Sequence, residues 1–133
     1  HGQLDWKLRN DNRVVCLEKT NIRYATRAEV PEEIAFSSID VSFISLSKVL
    51  PAVRALLGAE AEVVALIKPQ FELGPQARNR QGIVRADADL DGLRRDVIQR
   101  AEDAGWQVND WQRCALVGGD GNQEYFLIAT RRP

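Results

Sequence analysis

Val63-Val64-Ala65-Leu66-Ile67 is apolar at every position, follows Glu62 and stops abruptly at Lys68-Pro69. A short run without polar alternation suits a strand covered by helices on both faces, as in parallel sheets. Phe36 to Val41 reads as a second strand and carries Asp40 in Ile39-Asp40-Val41-Ser42-Phe43-Ile44-Ser45. In an open α/β sheet, ligands bind just beyond the carboxyl ends of parallel strands. Two successive strands that end in Asp40 and Lys68 therefore deliver an acid and a base side by side to one edge. That pairing is an arrangement for chemistry.

Composition sets the outer limits. At 133 residues the chain supports one domain with a modest core. Its 44% apolar and 28% charged residues are those of an ordinary globular protein. A formal net charge of -1 gives no bulk field toward nucleic acid or a membrane, so RNA binding requires a local basic patch. The apolar runs are too short to cross a bilayer, and no signal-peptide pattern is read at the start. Cys16 and Cys114 lack metal-ligand spacing and read as reduced, buried thiols in a cytoplasmic protein.

Pattern places the remaining elements. Residues 3–10 read as a short helix, Arg13 to Leu17 as a buried strand, and residues 27–34 as a helical turn around Pro31. Leu46, Val49, Leu50, Val53, Leu56 and Leu57 recur at helical spacing. Pro51 is tolerated in a first turn, so this helix is expected from about Lys48, with Gly58 as its stop. Glu62 to Ile67 forms the next strand, and Lys68 to Arg85 reads as a long loop. Asp87 is the expected cap of a helix that carries Leu90, Leu93, Val97, Ala101 and Ala104 and stops at Gly105. Trp106 to Cys114 and Tyr125 to Thr130 then form an antiparallel hairpin at the sheet edge, joined by the glycine-rich 117–122 segment. The sum is an α/β fold, mainly parallel, with an antiparallel C-terminal finish.

Each charged position also has a plainer reading. Taken singly, Asp40 fits a strand-end helix cap and Lys68 a snorkelling lysine. Glu124 fits a surface residue before an apolar run, and Glu18 either a solvated acid or one that binds a ribose or base. Arg78, Arg80 and Arg85 fit a solvated loop or an RNA contact. Only the shared edge of Asp40 and Lys68 favours a site over the plain alternative.

Four segments form an ordered set: Val15 to Arg23, Ile39 to Ser45, Ala65-Leu66-Ile67-Lys68-Pro69-Gln70-Phe71-Glu72, and Gly121-Asn122-Gln123-Glu124-Tyr125-Phe126. This set resembles the TlyA-type, FtsJ-like methyltransferases, which are also called hemolysins, and the likeness covers nearly the whole chain. The resemblance implies a Rossmann-like methyltransferase sheet and S-adenosylmethionine-dependent methylation of ribosomal RNA at ribose 2′-hydroxyls. It also implies a Lys-Asp-Lys-Glu catalytic tetrad. Asp40 then matches the aspartate, Lys68 the second lysine and Glu124 the glutamate. Glu18, Thr20, Asn21 and Asp40 are the expected cofactor-facing residues, and no metal is implied.

The first tetrad lysine has no counterpart in this sequence. The resemblance places it upstream of His1, together with an S4-like RNA-binding domain, the cofactor's glycine loop and the acid that holds the cofactor ribose. Gly2-Gln3-Leu4 resembles the segment just after that acid. Residues 1–133 are thus expected to be the C-terminal part of a single methyltransferase domain that lacks its first two strands. On its own such a piece is expected to be inactive, to bind S-adenosylmethionine weakly or not at all, and to self-associate through exposed strand edges. The expected partner of the parent is ribosomal RNA or a ribosomal subunit. The alternatives are a membrane-active hemolysin and a non-catalytic Rossmann-like RNA-binding module. The first gains little from a sequence without a cationic amphipathic helix.

Overall fold

A computed structural model describes residues 4–18, 20–40, 48–119 and 121–133. Its elements are α1 (Trp6–Arg9), β1 (Ile34–Ile39), α2 (Leu50–Leu56), β2 (Leu57–Ile67), α3 (Pro69–Glu72), α4 (Leu90–Asp103), β3 (Trp106–Arg113) and β4 (Tyr125–Arg131). The strands form one sheet in the order β1-β2-β4-β3. β1 and β2 are parallel, and β4 runs antiparallel to both β2 and β3. The α/β sheet with an antiparallel finish is therefore present, as a mixed sheet in which one described pairing is parallel and two are antiparallel. The hairpin partner that inserts beside β2 is its second strand, which leaves β3 at the edge.

Alternation sorts the sheet into unequal faces. Val63, Ala65 and Ile67 of β2 and Leu127 and Ala129 of β4 are completely buried. They share one core with Ile39, with Leu50 and Val53 of α2, and with Leu93, Val97 and Ala101 of α4. Each Val, Leu or Ile side chain among them contributes about 1.5–3 kcal/mol when fully buried. On the opposite face Val64, Leu66, Phe126 and Ile128 are only half-buried, and Phe36 is 56% exposed. The expectation of equal cover on both faces thus fails within the described residues: the described core is one-sided.

Trp106 of β3, wholly buried, fastens the sheet to α2 by donating its indole N–H to the Leu50 carbonyl at 3.2 Å. Arg54 of α2 donates to the carbonyls of Gly105, at 3.1 Å, and Arg132, at 2.8 Å. Gly105 adopts φ +91°, and a Cβ there would lie 2.3 Å from the Arg54 Nε. Glycine is thus required at the α4 stop for both backbone and space.

Several local expectations need correction. Arg13 to Leu17 forms no strand; Val15 is 74% and Leu17 45% exposed. A strand needs a ladder partner for its backbone groups, and among the described residues β1 pairs with β2 alone. The helical turn at 27–34 lies instead at Thr26 to Val30, before Pro31, where Thr26 and Glu29 form a capping box. The Thr26 hydroxyl holds the Glu29 carboxyl below its ordinary range.

α2 starts at Leu50, not Lys48, with Pro51 in its first turn. β2 begins at once at Leu57, so Gly58 sits inside the strand, where a register shift opposite Ile34 to Phe36 absorbs the extra residues. Asp89, not Asp87, caps α4: its Oδ1 accepts the Gly92 N–H at 2.8 Å. Cys16 and Cys114 are free thiols, as expected, but half-buried rather than buried. Of the sequence from Ile39 to Ser45, Val41 onward lies outside the described residues.

Candidate active site

The ends of three neighbouring strands meet at one sheet edge. Asp40 follows the last residue of β1, and Lys68 follows the last residue of β2. The final rung between β2 and β4 pairs Ile67 with Tyr125, so Glu124 enters the same edge beside Lys68. Strands in a sheet lie about 4.8 Å apart. Asp40, Lys68 and Glu124 thus form a row across β1, β2 and β4, although they are distant in sequence.

The row is wired. Lys68 Nζ pairs with Asp40 Oδ1 at 2.5 Å; the lysine side chain is 13% exposed and the aspartate 66%. Lys68 itself is extended, at φ -111° and ψ 98°, as a residue before proline must be. Pro69 opens α3, a single turn closed by Phe71 and Glu72 N–H groups donating to the Lys68 carbonyl at 2.9 and 3.1 Å. The turn places Gln70 on the interior side, 3% exposed, where its Nε2 donates to Glu124 Oε2 at 3.2 Å. Glu72 points away from this row, toward Arg100 of α4 at 3.8 Å.

Glu124 is also held from behind. Its carbonyl accepts the Cys114 N–H at 2.9 Å, which extends the β3–β4 ladder, and the Gln123 Nε2 at 2.9 Å. A Cβ at Gly118 would lie 3.0 Å from Glu124 Oε2, so the glycine turn passes close to the carboxylate.

The other expected residues make local bonds in the described chain before β1. Glu18 pairs with Arg9, whose guanidinium is drawn toward the charged form, and Thr20 donates its hydroxyl to the Glu18 carbonyl at 3.0 Å. Asn21 caps a turn of 3₁₀ helix at Ile22–Tyr24 by accepting the Arg23 N–H at 3.0 Å. These bonds give all three local roles in the chain before β1.

Arg78, Arg80 and Arg85 lie on a built loop. Arg78 bridges Val84, Asn79 N–H donates to the Ile83 carbonyl at 2.8 Å, and Arg85 N–H to the Ala77 carbonyl at 2.7 Å. Gly82, at φ +81°, turns its tip. The segment read as loop is therefore a small hairpin preceded by two helical turns, α3 and Pro75–Ala77.

Two polar residues that organise this edge carried no assigned role in the sequence reading. Gln70 and Asn122 are the buried polar side chains among the described residues. Asn122, 1% exposed, accepts the Val84 N–H at 2.8 Å and donates to the Gly82 carbonyl at 3.1 Å. It ties the arginine hairpin to the turn that delivers Glu124. Both lie inside segments already singled out, but an amide in a motif does not announce its bonding partners.

Comparison with known proteins agrees with this geometry. The FtsJ-like methyltransferase family model matches residues 1–131. The chain is 43% identical over 129 residues to a Bacillus subtilis protein named "Putative rRNA methyltransferase YqxC", covering 96% of this chain and 46% of that protein. It is 41% identical over 132 residues to the Mycobacterium tuberculosis 16S/23S rRNA (cytidine-2′-O)-methyltransferase TlyA, covering 96% of this chain and 47% of the relative. A solved structure from Streptococcus thermophilus, named "Putative hemolysin", superposes with a TM-score of 0.92 at 40% identity, over 99% of this chain and 48% of that one. The chain spans about half the length of the curated relatives it matches. A Rossmann-like sheet with its charged row at the carboxyl edge, matched by the family over nearly every residue, leaves one assignment: the chain belongs to the FtsJ-like methyltransferase family.

Proposed function

We propose that residues 1–133 are the C-terminal part of the catalytic domain of an S-adenosylmethionine-dependent ribosomal RNA 2′-O-ribose methyltransferase. The observation that carries this reading is the Asp40–Lys68 pair with Glu124 beside it on one sheet edge in a member of this family. The names of the relatives supply the substrate class.

In this proposal Lys68 is the residue that meets the ribose hydroxyl. Paired with Asp40, it acts as an ammonium that orients the hydroxyl oxygen and offsets its developing negative charge, the hydroxyl proton being released to solvent as the oxygen takes up the methyl group. A fixed donor of this kind supplies both alignment and electrostatic stabilisation. Asp40 holds the lysine and, being largely exposed, presents carboxylate to a cationic sulfonium. Glu124, fixed by Gln70, orients the ribose from the hairpin side. Arg78, Arg80 and Arg85 contribute phosphate contacts.

The residues described here fit only part of the cofactor. Gly118, Gly119 and Gly121 join antiparallel β3 to β4, and no described glycine turn links a parallel strand to a following helix, the geometry of a nucleotide cradle. Glu18, Thr20 and Asn21 remain candidates for cofactor contact, though their present bonds are local. The isolated chain accordingly binds S-adenosylmethionine weakly or not at all and is inactive. It self-associates through the free edge of β1. The S4-like domain, glycine loop and first lysine belong to the parent protein.

The hemolysin reading draws on the names of relatives alone. Among the described residues no helix is long and apolar enough to cross a membrane. The test is transfer of labelled methyl to unmethylated ribosomal subunits, comparing this chain with a version extended upstream to the length of its relatives. Label only with the extended protein, lost in its Lys68→Ala variant, supports the proposal. A folded, cofactor-binding extended protein that transfers none removes the substrate assignment.

A further inference from the structure

An open groove of about 250 Å³ runs between the arginine hairpin and the glycine turn. It begins at Pro69, immediately after Lys68, and is walled by Ile83, Val84 and Leu90 on the apolar side. Gly121, Asn122 and Gln123, just before Glu124, also line it, together with Arg85. The volume falls below the roughly 300–1,000 Å³ of drug-sized ligand sites, which suits a single base rather than an entire cofactor.

We propose that this groove is a subsite for the base next to the methylated nucleotide in single-stranded RNA, an inference that rests on the methyltransferase reading. Three observations carry it. Position comes first: the groove lies on the β2–β4 side of the charged row, and Asp40 is not part of its lining. A strand whose ribose reaches Lys68 and Glu124 passes next over Pro69.

Chemistry is the second. Apolar walls accept the face of any base, and a cationic groove tracks the backbone. From Leu73 to Ala86 the sequence holds Arg78, Arg80 and Arg85 and no acidic residue. Arg85 carries a single exposed ion pair, to Asp87 at 3.4 Å, which a phosphate can displace.

Rigidity is the third. Asn122 bonds the two lining segments together through Val84 and Gly82, with Gly121 at φ +89° completing the turn. The groove is thereby fixed relative to Glu124 and not left to loop motion. Asn122 is a positioning residue: its side-chain amide is spent on the walls.

The test is an amide chemical-shift titration of the chain with a short single-stranded oligocytidylate. Two variants accompany it: Ala86→Trp, which fills the groove at an exposed position, and Arg85→Glu, which reverses the charge of a lining residue. The expected result is concerted shifts at Val84, Gly121 and Gln123, with binding weakened about tenfold or more in each variant. Shifts confined to other surfaces, or unchanged affinity in both folded variants, would overturn the proposal. The readout is independent of methyl transfer. Groove binding with no transfer by the extended protein removes the enzyme reading and leaves only a groove that binds a base; transfer with unaltered binding in the variants removes the subsite and leaves the enzyme.

Discussion

Asp40 and Lys68, the first residues past two parallel strands, form a 2.5 Å ion pair in which the lysine is shielded and the aspartate faces solvent. In the proposed mechanism this asymmetry divides their labour: Lys68 is held in place and Asp40 faces a cationic ligand. In the extended protein Lys68→Ala should lower kcat by about 10²–10³-fold, the range seen for a lost transition-state donor, with RNA affinity nearly unchanged. Lys68→Arg should recover little, because a planar fork does not reproduce a point charge. Single-turnover methyl transfer measures both; wild-type rates in either variant would remove Lys68 from the chemistry.

Gln70→Leu isolates the support of Glu124. It keeps the volume of a buried residue while removing the 3.2 Å hydrogen bond to the carboxylate. The expected outcome is a kcat reduced about fivefold with unchanged substrate KM, since one positioning bond is worth about 1 kcal/mol. Partial rescue by Gln70→Asn is not expected, because the shorter amide falls short of Glu124. A rise in KM alone would assign Gln70 to binding.

Asn122→Ala should destabilise the chain by about 1–3 kcal/mol, the cost of leaving the Val84 N–H and Gly82 carbonyl without their partner. Hydrogen exchange should accelerate first at Val84 and Gly82. Equilibrium urea unfolding with an unaltered midpoint would show that solvent replaces both bonds freely.

Trp106 separates packing from hydrogen bonding. Trp106→Phe loses the bond to Leu50 and some volume, for about 1–2 kcal/mol. Trp106→Ala opens the core and should cost about 3–5 kcal/mol. Denaturation midpoints of the two variants give the comparison, and equal losses would mean that the hydrogen bond and not the ring secures β3 to α2.

The proposed self-association has its own test. Light scattering of the isolated chain should report species above monomer mass, and Phe36→Lys on β1 should shift them toward monomer, since an edge lysine blocks strand pairing. A monomeric wild-type chain removes the edge proposal. Micromolar S-adenosylmethionine affinity by calorimetry would likewise count against an incomplete cofactor cradle.

What the sequence determined by itself are the features written in local pattern. Val63 to Ile67 announces a buried strand, Leu90 to Ala104 an amphipathic helix, and Asp40 and Lys68 the ends of two strands. Parallel pairing then places those ends together, because adjacent parallel strands deliver their carboxyl termini to the same edge. Tertiary structure decided the rest. Arg13 to Leu17 has the composition of a strand, yet a ladder requires a neighbour that composition does not encode. Glu124 reads as a surface residue until β4 inserts antiparallel to β2 and brings it beside Lys68. Gln70 and Asn122 gain their roles from partners up to 54 residues away. Hydrogen bonds of that span exist only once the sheet has closed, and no local periodicity records them.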